Sequence, residues 1–175
     1  MTLEEMRKDC ALKQKKGLHF ILASVLIWMI ILGIHLSSEE ILRKNLYTFM
    51  ATSILVPTAY LISKWIKVDF TNKSNPLTEL GVLFSFNQML YLLIAMWIYN
   101  AAPEKMVMVL AMIFGAHLLP YGWLYKSKSY FIFSIGISFG ALILGVNYPV
   151  YVLSAVMIVI EILFSILLWL EVKKI

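Results

Sequence analysis

Residues 148–170 read YPVYVLSAVMIVIEILFSILLWL, twenty-three positions in which Glu161 is the one Asp, Glu, Lys or Arg. Crossing the hydrocarbon core of a bilayer takes about 20 mostly apolar residues, so this run is long enough to span it. A surface helix of a soluble protein carries a polar stripe along one side, and this run has none, which makes its solvent lipid. Glu161 therefore lies within hydrocarbon.

Five further runs have the same character when read outward from this one: Leu18 to Leu36, Leu46 to Trp65, Leu80 to Tyr99, Met106 to Tyr125 and Tyr130 to Val146. Together the six predict an all-α, polytopic transmembrane helix bundle over residues 18–170, with spans 18–36, 46–65, 80–99, 106–125, 130–146 and 148–170. A basic segment, 1–17, precedes the bundle, and a tail, 171–175, follows it. The composition agrees, for 61% of the 175 residues are hydrophobic and 14% are charged. A soluble domain uses roughly 25% charged residues to cover itself. Polar stretches divide the runs: Ser37 to Asn45, Asn75-Pro76, Ala101 to Glu104, Lys126 to Ser129 and Asn147-Tyr148-Pro149. The fifth run is the shortest, which leaves a re-entrant segment as its alternative.

Orientation follows from the basic residues, which cytoplasmic loops retain. With the N-terminus inside, Arg7, Lys8, Lys13, Lys15, Lys16, Lys64, Lys67, Lys73, Lys126, Lys128, Lys173 and Lys174 share the cytoplasmic side, twelve in all, against Arg43, Lys44 and Lys105 outside. Both termini are thus expected in the cytoplasm. The net charge of +5 is explained by this asymmetry rather than by a nucleic-acid partner. Segment 1–17 resembles the basic start of a signal peptide, but the apolar run after it exceeds the 7–15 residues of such a peptide, so it is expected to be retained. Leu3, Met6 and Cys10 fall at helical spacing, which predicts either a short helix on the membrane surface or a frayed tail. A single cysteine excludes an internal disulfide or a cysteine-rich metal site.

Polar groups inside hydrocarbon are costly and mark candidate sites. At about 1.5 Å per residue, His117 falls roughly 17 Å from the outer end of its run and Glu161 roughly 20 Å from the outer end of its own. Asn87, Gln88 and Ser138 have similar depths, so the five define a midplane layer. Tyr121 stands one turn after His117, in a stretch containing Pro120. Equal depth leaves the facing of these side chains open. Their readings are a proton relay, a binding site for a small solute, or a neutral Glu161 that joins helices by hydrogen bonds. One His and one Glu give too few ligands for zinc, and neither a metal nor a cofactor is expected.

The string Gly136-Ile137-Ser138-Phe139-Gly140 fits GxSxG, yet a nucleophile elbow needs a turn between strand and helix, and this string lies within a predicted span. It reads instead as a small-residue face, with Gly136 and Gly140 letting helices pack closely. Pro57 and Pro120 are expected to kink the second and fourth spans. Walker A, HExxH and paired-cysteine motifs are lacking.

Lys15-Lys16-Gly17-Leu18, leading into the first span, and His117-Leu118-Leu119-Pro120-Tyr121 together resemble an uncharacterised family of small multi-helix bacterial integral membrane proteins. The resemblance covers nearly the whole chain. It implies a multi-pass protein of the bacterial inner membrane and lends no catalytic residues. The leading functional expectation is transport or sensing of a small solute, linked to protons through the His117/Glu161 layer. The alternatives are an intramembrane enzyme acting on a lipid or lipophilic substrate, and an accessory or assembly protein without a site of its own. The expected partners are the lipid bilayer and a small-molecule solute or proton, with no nucleic acid and with oligomerisation left open. The orientation is checked by cysteine labelling in a Cys10→Ser background: Lys73→Cys and Lys126→Cys should react only from the cytoplasmic side, and labelling of either from outside contradicts it.

Overall fold

Six helical stretches are long and apolar enough to cross a membrane in the computed structural model, which describes residues 1–175 and contains no strand. The chain runs α1 (Leu3–Lys13), α2 (Leu18–Leu36), α3 (Ile41–Ser53), α4 (Leu55–Trp65), α5 (Leu77–Ala101), α6 (Met106–Leu124), α7 (Lys128–Asn147) and α8 (Val150–Lys173). Several helices run past their apolar segments. Thus α3 begins at Ile41, where the Arg43–Glu39 ion pair at 2.7 Å and the hydrogen bond from Asn45 Nδ2 to Pro103 O at 2.8 Å support its polar first turns. The fifth apolar stretch is an uninterrupted helix of 20 residues, about 30 Å long and sufficient for a full crossing.

The two prolines act differently. Pro57 stands in the first turn of α4, where its missing N–H costs nothing, and the second apolar stretch divides at Ile54 just before it. Pro120 lies inside α6, which continues past it to Leu124.

The antiparallel pair α6 and α7 packs through a seam with a seven-residue repeat. A Cβ on Gly115 would stand 2.8 Å from the backbone nitrogen of Ser138, and one on Gly122 would stand 3.1 Å from the Phe131 ring. One on Gly145 would collide with the Met108 side chain. Each helix thus gives a glycine where the other gives a larger group, which brings the two backbones close. The close-approach role expected of Gly136 and Gly140 is corrected here: a Cβ on either would meet nothing within 4 Å, because both fall off the seam. In the other tight pair, α2 and α8, Ile21, Ser24, Trp28 and Ile31 share the interior with Leu153, Met157, Glu161 and Phe164. The periphery belongs to α5, which buries only Ala95 and is held to α6 by Tyr121, whose hydroxyl donates to Gly81 O at 2.7 Å.

Helix α1 closes one end of the bundle. Thr2 caps it, with Glu5 completing a reciprocal capping box. It buries Cys10 and Ala11 in the core and is also tied down by polar contacts. The Asp9 carboxylate accepts from Asn75 Nδ2 at 2.9 Å and Asn72 Nδ2 at 3.1 Å, and pairs with Lys13 at 2.8 Å. The hydrogen bond from Lys13, followed by those from the two asparagines, holds Asp9 down to about 2. Because that value lies below the ordinary 3.8, the stabilisation from Asp9 is fully present above the ordinary value and is lost as pH falls through about 2. Cys10 is buried beside Thr78, and burial pushes its thiol up, which keeps it protonated and unreactive.

The turn into α2 has positive φ at Lys15, Lys16 and Gly17. Lys16 Nζ meets Glu171 at 2.8 Å, and Tyr130 donates its hydroxyl to Lys16 O at 2.9 Å, so the turn is held from two sides. Glu171 also accepts from the Ser129 N–H and hydroxyl at the start of α7, where an anion is favoured.

Gly115→Leu should cost about 1–3 kcal/mol through overpacking against backbone, while Gly136→Leu should stay within roughly 0.5 kcal/mol of the parent. Thermal unfolding in detergent separates the two, and equal melting of both variants contradicts the seam.

Candidate functional site

Along α8, Ser154, Glu161 and Ser165 are spaced by seven and four residues, which sets them on one side of the helix. All three are buried. Glu161 is 0% exposed, on the helix that packs against α2. Its hydrogen-bonding side chain is Ser24 of α2, whose Oγ lies 2.5 Å from Glu161 Oε2. The same Oγ lies 2.7 Å from Ile21 O.

A serine hydroxyl has one proton, while a backbone carbonyl can only accept. If Ser24 donates to Ile21 O, the proton on the line between Ser24 and Glu161 belongs to the carboxyl group. A neutral Glu161 then donates to Ser24, which relays to the carbonyl. No ion pair reaches Glu161, and an unpaired charge in such surroundings is the state that proteins avoid. The second oxygen, Oε1, is buried with no hydrogen-bond partner.

The other polar residues of the expected layer lie elsewhere. His117 is half-buried on α6 with its ring edge-on to Tyr121, the centroids 5.0 Å apart, and no hydrogen bond links it to Glu161. Tyr121 bridges to α5, with Ser85 Oγ at 2.8 Å as well as Gly81 O. Ser138 donates to Ser134 O at 2.8 Å, inside the helix and against Gly115. Asn87 is exposed and Gln88 half-buried on α5. The layer therefore divides, with Glu161 in the α2/α8 contact and His117 and Tyr121 along α5 and α6.

Sequence reasoning passed over Ser24. It is the only hydroxyl in the run 18–36, and it adjoins Ala23 among bulky aliphatic and aromatic residues. Such a small pair is the usual mark of a close helix contact and was the available signal.

No curated protein and no solved structure matches this chain. The model of a family of unknown function, DUF7010, matches residues 3–171, nearly the full length. A membrane-type helical bundle with a buried serine–carboxyl centre is thus what can be set beside that match, and the chain belongs to DUF7010, a family of unknown function.

Proposed function

We propose that this protein is a multi-pass protein of the cell membrane, with both termini cytoplasmic, that transports or senses a small solute through the Ser24–Glu161 centre, where Glu161 carries a proton. The observation that supports this reading is the partnerless Oε1. A carboxyl group retained only to join α2 and α8 would be expected to use both oxygens, since a buried polar atom left unmatched costs about 1–3 kcal/mol. An unmatched oxygen beside a hydrogen-bonded one suits a group that exchanges a proton or receives a donor from a solute. Orientation rests on the asymmetry of Lys and Arg.

His117 is not required as the partner of Glu161 in this reading, because Ser24 fills that place. Asn87 and Gln88 are outside the centre. The complete burial of Glu161 is the one feature that favours an accessory role instead, in which the centre only fastens the helices. Transport requires a state in which water reaches Glu161.

The two readings separate in proteoliposomes that enclose a pH-sensitive dye. Under an imposed pH gradient the parent protein should conduct protons or proton-coupled solute, while Glu161→Gln should fold to the same yield and lose at least tenfold of that flux, about 1.4 kcal/mol in barrier terms. Equal flux in parent and variant removes Glu161 as a proton site and leaves the fastening role.

A further inference from the structure

Beside this centre the bundle is open. Helices α2, α4 and α8 leave a groove of about 410 Å³ between them. That volume falls in the range of roughly 300–1,000 Å³ typical of small-molecule sites. Its walls include Val25 and Leu26 of α2, Ile62 and Trp65 of α4, and Ile162 and Ile166 of α8. Trp65, at the end of α4, is 81% exposed and marks the mouth at the membrane interface. Charged side chains are absent from the lining, so an ionic head group would find no counter-charge within it.

One polar residue lines the groove, and it is Ser165. Ser165 is 7% exposed, and its Oγ is buried with no hydrogen-bond partner. Most buried serines of the spans differ, Ser134 of α7 excepted. Ser24, Ser63, Ser138 and Ser154 each return the hydroxyl to a carbonyl of the preceding turn. Ser165 does not, although the same local bond is open to any serine in a helix. In hydrocarbon no water supplies the missing partner.

We infer that the groove between α2, α4 and α8 is a binding site for a neutral lipophile with an alkyl chain and a single hydroxyl-type head, which enters sideways from the bilayer and hydrogen-bonds Ser165 once rotation about χ1 turns its buried hydroxyl into the groove. The chain lies along the apolar walls. Ser165 stands eight residues before the end of α8, about 12 Å from that end. A phospholipid keeps its charged head group at the interface, so a hydroxyl placed at that depth selects a molecule whose polar group can enter hydrocarbon. A hydroxyl head both donates and accepts, and so matches Ser165 whichever way its own proton points. This site does not require Glu161 to exchange a proton, and it stands or falls independently of the function proposed above.

The probe is a photoreactive long-chain alcohol, a diazirine-bearing hexadecanol, added to the full chain in phosphatidylcholine vesicles, with the sites of labelling mapped by mass spectrometry. The outer face of α5, where Leu83, Leu90 and Trp97 are exposed, reports ordinary lipid contact in the same sample. Labelling should concentrate on peptides carrying Val25, Ile62 and Ile166, and unlabelled hexadecanol should compete while hexadecane does not. Ser165→Ala should weaken competition by about three- to tenfold, the loss of one hydrogen bond. Ile62→Trp, at a half-buried position of the wall, should fill the groove and remove the labelling. Labelling as strong on α5 as in the groove overturns the site. Equal competition by hexadecane, or unchanged competition in Ser165→Ala, overturns the role of Ser165. Retention of labelling in a folded Ile62→Trp places the probe elsewhere, as does its displacement by excess phosphatidylcholine.

Discussion

Hydrocarbon supplies no hydrogen-bond partner, and this constraint governs every polar atom between the two faces of the bundle. Most are matched within one turn of their own helix, as for Ser63, Ser138 and Ser154. Glu161 has no such local solution. Its carboxyl group needs a partner on another helix, and Ser24 provides one at 2.5 Å. That bond joins α2 and α8 at one buried point, among the apolar residues of both helices that form the core.

At the ends of the bundle the same rule is met by different groups. Carbonyls left over at the end of α6 are taken by Arg7, whose Nε donates to Trp123 O at 2.9 Å while its guanidinium lies over the Trp123 ring. Amide groups at the start of α7 are met by Glu171, which also receives Lys16. The buried asparagines Asn72 and Asn75 extend this network to Asp9. The first 17 residues thus form a polar lid over one face, and the interior beneath it is sealed by α2, α6, α7 and α8. The edges formed by α4 and α5 are looser, and it is beside α4 that the groove lies.

The helical class and the six apolar stretches were legible because a run without a polar side has only one solvent that suits it. The rest required knowing which way each helix turns. Depth along a helix can be counted from sequence, but rotation about its axis cannot, so His117 and Glu161 shared a depth without sharing a contact. Gly115 and Gly122 carry a seven-residue spacing that foretells the α6–α7 seam, yet the denser Gly136-x-Ser138-x-Gly140 string drew attention from it. The pairing of Asp9 with Asn72 and Asn75 joins residues more than sixty positions apart, and no local pattern announces it. Ser165 looks like any other serine in a span until its missing carbonyl bond is seen.

A neutral carboxyl group at the α2/α8 contact is the claim on which the functional reading turns. Infrared difference spectroscopy between parent and Glu161→Gln reads it directly, because a protonated carboxyl has a carbonyl stretch that a carboxylate lacks. At neutral pH the parent should show this band, Glu161→Gln should lack it, and Ser24→Ala should move it to the frequency of a carboxyl without that hydrogen bond. A carboxylate signature from Glu161 at neutral pH, or a band indifferent to Ser24→Ala, would contradict it.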